Sequence, residues 1–373
     1  MSKIMNATPS GVAPTSGLEG IAAADTALSQ VLGQAGELVI AGAPLHQFVA
    51  RQTFDEAIET LWSIAGSDIP LAPQKVAHAR TLAFENIKLL QPVLKGLTPA
   101  EGLRLCLSSL NGADADGAPI LLVSAMPVFA ANVARLAEGQ EMVAPDLKTN
   151  TAACFLGMLH DRAPSQGEVN ALDTYLSTVC DHGMNASTFT ARVIASTQAD
   201  LVSAIVGAYG ALTGPLHGGA PEPVLDMLDS IGTADNAAHW IDAELARGER
   251  LMGFGHRVYR VRDPRADVLA GALKELGAEG PRYGLARAVE RCALETLQRH
   301  KPDRVLETNV EFYTALLLDA LRIPRAAFTP VFAVGRVAGW TAHCLEQQRI
   351  GRLIRPSANY IGTPVEPPRD LSA

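Results

Sequence analysis

The 373-residue chain carries 31 Lys and Arg against 39 Asp and Glu, a formal net charge of −8 that argues against a general nucleic-acid binder. Apolar residues at 48% and charged ones at 19% exclude a disordered chain, and the length allows two or three domains around a sizeable core. The five cysteines (Cys106, Cys154, Cys180, Cys292 and Cys344) are scattered without a Cys-x-x-Cys pair, which supports neither a disulfide framework nor a structural zinc site.

The first sixteen residues, with Pro9, Pro14 and several Ser and Thr, read as a loose lead-in without the apolar core of a signal peptide. Glu37 to Ile40, followed by Ala-Gly-Ala-Pro, is the best strand-and-turn candidate. The longest apolar stretch, Ala118 to Ala134, is interrupted by Pro127 and falls short of a bilayer span, so the chain is expected in the cytosol. From Phe189 to Leu212 apolar residues recur at spacings of three to four, and Gly214-Pro215 stops the run. A second helical run, Val310 to Leu321, is entered through the N-cap candidate Thr308-Asn309 and stops before Pro324. A third, Phe332 to Leu345, is apolar on most sides and predicted to be buried. No repeat is visible. These patterns predict an all-α protein with at most a small N-terminal β ribbon.

Charge is uneven. Arg247 to Arg304 holds eleven Arg and two Lys against eight Asp and Glu, which suggests a small anionic ligand in an otherwise acidic protein. Solvated helix faces account for most such arginines, but Arg257, Arg260, Arg262 and Arg265 crowd around a histidine and two glycines. That segment, Gly253-Phe254-Gly255-His256-Arg257, surrounds an imidazole with guanidinium forks suited to carboxylates and phosphates. Gly214-Pro-Leu-His217-Gly-Gly-Ala-Pro221 sets another histidine in a turn open to backbone and substrate, where the start of the following helix would favour a neutral imidazole. Asp181-His182-Gly183 lies at a helix entrance, where capping alone would explain it. Glu311 stands in the first turn of an apolar helix, either as ordinary dipole complementation or as a base facing a cleft. Arg336, within an apolar run, needs a partner or an anionic ligand, and Arg355 resembles it. The three histidines lack metal-ligand spacing.

Together these segments resemble the citrate synthase family, from Gly17 to Gly362 and most closely from Asp181 onward, where five motifs match in order. The short bacterial members, including 2-methylcitrate synthases, are the nearest comparison. The resemblance implies a helical homodimer with a large domain of residues 1–218 and 326–373 and a small domain of residues 219–325. It implies condensation of acetyl-CoA with oxaloacetate and hydrolysis of citryl-CoA. No metal or cofactor is needed beyond the coenzyme A thioester used as substrate, and neither nucleic acid nor membrane is a partner. His217 would then hydrogen-bond the thioester carbonyl, His256 would polarise the oxaloacetate ketone, and Glu311 would be the base. His182, Arg265 and Arg336 would hold oxaloacetate, with Arg355 reaching into the partner subunit's site. Met252, Gly253, Phe254, Gly255 and Arg260 would contact coenzyme A. Two alternatives stand beside this reading: a propionyl-CoA-using 2-methylcitrate synthase, and a catalytically weak relative acting as a ligand-binding protein. Glu311 in place of the family's aspartate motivates the second. The chain also departs from the family at Pro221, where Asn is common, and at Ala41-Gly-Ala, where Arg-Gly-aromatic is usual.

Overall fold

A computed structural model describes residues 18, 20–110, 117–217, 221–256, 258–278, 280–358 and 362. The ribbon expected around Glu37 is a three-stranded antiparallel sheet of β1 (Ser29–Leu32), β2 (Glu37–Ile40) and β3 (Ala43–Pro44), with Ser29 opposite Ile40 and Leu32 opposite Glu37. The two-residue link between β2 and β3 places Ala41 at φ +50° and Gly42 at φ +77°. Tight hairpin links require positive φ, and a side chain there costs roughly 1–2 kcal/mol. Ala41→Gly is therefore expected to stabilise the fold by about 0.5–1 kcal/mol, read as a higher urea midpoint, after allowance for the entropy glycine adds to the unfolded chain.

Helices follow: α1 (Leu45–Ala50), α2 (Phe54–Ile64), α3 (Pro73–Leu94), α4 (Pro99–Ser108), α5 (Gly117–Ala137), α6 (Thr151–His160) and α7 (Gln166–Val179). Next come α8 (Ala186–Ser196), α9 (Leu201–Leu212), α10 (Pro221–Ile231), α11 (Ala237–Ala246), α12 (Pro264–Glu275), α13 (Pro281–His300), α14 (Val310–Ala320) and α15 (Phe328–Ile350). Many of their starts follow side-chain capping chemistry. Thr53, Thr98 and Ser165 form reciprocal boxes with Glu56, Glu101 and Glu168, and Asn185, Asp200, Asp263 and Asn309 cap α8, α9, α12 and α14.

Two sequence expectations change. The single run from Phe189 to Leu212 is two packed helices, α8 and α9, because Asp200 accepts from the Ser203 amide at 2.9 Å and starts a new helix. Gln198, at φ +65°, makes the turn between them. The Ala118–Ala134 stretch extends to the 21-residue helix α5, long and apolar enough by composition to cross a bilayer. Every residue of it from Ala118 to Arg135 is nevertheless buried, against α3, α4, α6 and α15, so it serves as a core helix. The expected third run becomes α15, buried along nearly all of its length and touching α2, α4, α5, α7, α8 and α9.

Helix α15 also fixes where α7 ends. A side chain at Gly335 would collide with Val179 and the Leu176 carbonyl, and one at Gly339 with the Cys180 carbonyl. Through that contact the Gly339 amide donates to the Cys180 carbonyl at 3.0 Å, and Arg336 Nε donates to the Val179 carbonyl at 2.7 Å. Two of the carbonyls left without intrahelical partners at the C-terminus of α7 are thereby satisfied, and Asp181-His182 emerges at a defined point.

Candidate active site

His256 follows two glycines held at φ +85° and +83°. A side chain at Gly253 would press on Phe312 of α14, and Asn309 binds this loop through its amide to the Gly253 carbonyl and its Nδ2 to the Gly255 carbonyl, both at 2.9 Å. The β1–β2 turn braces the same loop from the other side, with the Arg260 amide donating to the Gly33 carbonyl at 3.0 Å. The Val258 and Tyr259 amides donate to His256 Nδ1 at 3.0 and 3.1 Å. This assigns the ring proton to Nε2. Nε2 lies 3.5 Å from Arg265 Nη2, so two N–H donors converge on one point, an arrangement that calls for an oxygen ligand between them.

Arg265 is buried and forked onto Asp263, with Nε to Oδ1 at 3.0 Å and Nη2 to Oδ2 at 2.8 Å. Burial would push the Asp263 carboxyl up, but the guanidinium outweighs it and holds the carboxyl below its usual range. Asp263 also caps α12 and accepts from the Val310 amide at 3.2 Å, which ties Arg265 to the start of α14, where Glu311 sits. Sequence reading passed over Asp263, although Asp-Pro at a helix entrance was a visible capping signal.

His217 is served by a different helix from the one expected. The sequence pointed to the helix after the glycines; Pro221 does open α10, but Gly218 to Ala220 lie outside the described residues. The amide that reaches the ring is that of Ser187, in the first turn of α8, donating to His217 Nε2 at 3.3 Å, with Ser187 Oγ at 2.8 Å. Trp340 Nε1 of α15 donates to that hydroxyl at 3.1 Å. The ring proton of His217 is thereby assigned to Nδ1. His182 pairs with the Tyr259 hydroxyl at 3.2 Å and packs edge-on to His256 with ring centroids 5.8 Å apart. Behind it, Asp181 is buried and accepts from Ser29 Oγ of β1 and from His343 Nε2 at 3.2 Å. The partners Ser29, Ser187, Tyr259 and Trp340, and the role of Asp181 behind His182, were not assigned from the sequence, because each contact joins distant stretches of chain.

All three imidazoles are kept neutral. Burial, reinforced by Arg336, lowers His217 to about 4. Burial, reinforced by Arg265, does the same to His256. Burial and then the charges of Arg265 and Arg336 bring His182 well below its ordinary value. Glu311 moves the other way: burial pushes its carboxyl up to about 7, against the pull of Arg265 and Arg336. Arg336 is buried, lies 4.8 Å over the Phe332 ring and is lowered to about 10 by burial. Among the described residues no carboxylate forms an ion pair with it. The site therefore gathers two buried guanidinium groups, three neutral imidazoles and one carboxyl near neutrality.

The remaining expected residues divide. Arg260 is exposed on the rim of an adjoining cavity of about 360 Å³ that also touches Phe254, Gly255 and His256. Arg250, Lys301 and Arg304, which the sequence marked only as part of the basic stretch Arg247 to Arg304, give that cavity further positive charge. Met252 is half-buried in the same loop. Arg262 is structural, paired with Asp267 at 2.6 Å and Glu290 at 2.8 Å, and Arg257 lies outside the described residues. Arg355 is exposed on the segment after α15, and among the described residues it makes no hydrogen bond or ion pair with the site. Among the described residues no three His, Cys, Asp or Glu side chains group as metal ligands.

Comparison with known proteins agrees with this arrangement. The family model described as "Citrate synthase, C-terminal domain" matches residues 17–357. The chain belongs to the citrate synthase family. The citrate synthase of Haloferax volcanii is 36% identical over 93% of this chain and 95% of its own. A 2-methylcitrate synthase of Mycobacterium tuberculosis is 33% identical over 95% of this chain and 94% of its own. A solved citrate synthase of Thermoplasma acidophilum, in ternary complex with carboxymethyl coenzyme A and oxaloacetate, superposes with a TM-score of 0.83 at 25% identity, covering 94% of this chain and 97% of that one. The helical fold expected from the sequence is that of these citrate synthases.

Proposed function

We propose that this citrate synthase family enzyme condenses acetyl-CoA with oxaloacetate and water to citrate and coenzyme A. The observation that carries the reading is the meeting of His256 Nε2–H with the Arg265 guanidinium beside neutral His182, a pair of donors suited to a keto-acid. Arg265 and Arg336 would take the two carboxylates of oxaloacetate, and His256 would donate to its ketone oxygen. Glu311, in its ionised form, would remove a proton from the acyl α-carbon while His217 Nδ1–H steadies the charge that develops on the thioester oxygen. The resulting carbon nucleophile attacks the ketone carbon, the new alkoxide takes the His256 proton, and water then cleaves the thioester C–S bond. The cavity rimmed by Arg250, Arg260, Lys301 and Arg304 suits the phosphates of coenzyme A. We also propose a division into residues 1–218 with 326–373 and residues 219–325, whose closure over the cleft would exclude water until citryl-CoA forms.

The 33% identity to a 2-methylcitrate synthase supports a second reading, with propionyl-CoA as the acyl donor. One methylene in an apolar pocket discriminates by only about 1–3 kcal/mol. Thiol release with each acyl-CoA, with and without oxaloacetate, separates the readings: kcat/KM higher for acetyl-CoA supports the first, and higher for propionyl-CoA the second.

We further propose a homodimer. Leu82, Leu89 and Val93 form an apolar stripe on α3, exposed by 48%, 82% and 58%, which a second copy would cover. Arg355, free of its own site, is available to the other subunit's. Arg355→Ala and His256→Ala chains, each inactive alone, are expected to regain about a quarter of the wild-type activity when reassociated at random in equal amounts, because half the dimers are mixed and one of their two sites has both residues intact. No recovery in the mixture would overturn the shared site.

A further inference from the structure

A second cavity, of about 530 Å³, lies at the end of the fold remote from the catalytic groups. Three helices connect the two places. Helix α7 starts at the cavity, with Ser165 and Glu168, and ends where Asp181-His182 begins. Helices α12 and α14 run the opposite way: α12 from Arg265 to Leu273 and Leu276, and α14 from Glu311 to Leu316 and Asp319. Along these stiff helices the lining residues stand roughly 8–20 Å from the catalytic groups, nearest along α14, where Leu316 follows Glu311, and farthest along α7. On the domain division proposed above, α7 belongs to one part and α12 and α14 to the other. A change in the angle between the two parts would therefore alter this cavity as well as the catalytic cleft.

The lining indicates what the cavity would hold. Leu273, Leu276, Leu316 and Tyr283 form an apolar floor, and Arg162, Arg282 and Arg322 stand at its edge. Arg162 and Arg322 share one carboxylate, Glu168, at 2.5, 3.0 and 3.1 Å. Arg322 is 69% exposed, gives Glu168 only Nη2, and is held at φ +57°. Arg282 pairs with Asp229 and, at 3.5 Å, with Asp319. Three guanidinium groups here meet three carboxylates, Glu168, Asp229 and Asp319, yet Arg282 Nε makes no hydrogen bond and Arg322 uses only Nη2, which leaves donors for an added anion, and 530 Å³ suits a molecule with an apolar ring or chain.

We propose that this cavity is an effector site for a small organic anion with an apolar body, and that its occupancy is coupled to oxaloacetate binding through α7, α12 and α14. The coupling follows if the anion fits one angle between the two parts better than another, and by linkage oxaloacetate must then change the anion's affinity by the same factor.

The probe is 1-anilinonaphthalene-8-sulfonate, an aromatic anion of this chemistry, titrated by fluorescence onto the intact enzyme with coenzyme A saturating. We expect its Kd to change at least fivefold on adding oxaloacetate. We expect binding to be lost in Leu276→Trp, which fills the cavity, and weakened about tenfold in the exposed-residue variant Arg322→Ala, which guards against misfolding of the first. Unchanged binding in Arg322→Ala and in folded Leu276→Trp would overturn the site, and equal affinity with and without oxaloacetate would overturn the coupling. Thiol release on the same preparations keeps the outcomes apart: an enzyme that releases coenzyme A but shows no linkage refutes only this inference, whereas one that releases none refutes the catalytic reading.

Discussion

Glu311→Gln is expected to lower kcat by about 10²–10⁴-fold and to abolish exchange of the acyl α-protons with solvent, while oxaloacetate still binds. The amide keeps the size of the side chain and the Asn309 cap of α14 and removes only the basic oxygen. Exchange that persists in this variant would show that another group is the base. The position of the carboxyl also decides what a shorter base does. If the cleft is adjusted to glutamate, Glu311→Asp withdraws the oxygens by about 1 Å and slows turnover by on the order of a hundredfold, and a faster variant would show that the glutamate is misplaced. In the free enzyme, kcat/KM should rise with pH through about 7 as Glu311 ionises, because His217 and His256, at about 4, are already neutral there.

The same group makes a stability prediction of defined sign. Its folded-state pKa, about 7, lies above the ordinary glutamate value of 4.5, so the folded protein binds more protons than the unfolded chain between those pH values. Stability is therefore fully present below about 4.5 and declines as pH rises to 7. Glu311→Gln should escape that loss, gaining up to about 3 kcal/mol over wild type at pH 8 and little at pH 4.5, which urea unfolding at the two pH values measures.

Arg265→Leu is expected to have the largest effect on the fold. It strips a buried carboxylate, Asp263, of its bidentate partner, and breaking such a pair from one side costs about 3–5 kcal/mol. It also removes a guanidinium that faces the ketone-side imidazole, so oxaloacetate affinity should fall at least a hundredfold, about 3 kcal/mol. Adding Asp263→Asn separates the two effects. The double variant should recover most of the urea midpoint, because no unpaired charge remains buried, yet still fail to bind oxaloacetate by calorimetry. Wild-type affinity in the double variant would remove Arg265 from the substrate site.

What the sequence made legible follows a physical division. His182, His217, His256, Glu311 and Arg265 stand in short segments whose glycines, prolines and caps set the local backbone, so local rules marked them as candidates and the family resemblance supplied their roles. Arg336 was legible by contradiction, as a cation in an apolar run. The amides that set the His256 proton are local to it, but the groups that act on His217 and Asp181 were not legible. Ser187 lies 30 positions from His217, and Ser29 lies 152 from Asp181. Such contacts are made by packing α8, α15 and the sheet together, which no local pattern encodes. The break between α8 and α9 was missed for a related reason: apolar spacing continues across it, and only Asp200 marks the new start.

The β1–β2 turn has one last consequence. Gly33 lies so near the Val258 carbonyl that any β-carbon there would collide with it. Position 33 is thereby restricted to glycine although it touches no reactant. A methyl group at position 33 would lever the His256 segment away from the strand hairpin and turn the paired Val258 and Tyr259 amides off the imidazole. The ring could then flip between tautomers, and an enzyme intact at every reacting atom would spend part of its time with its proton on the wrong nitrogen.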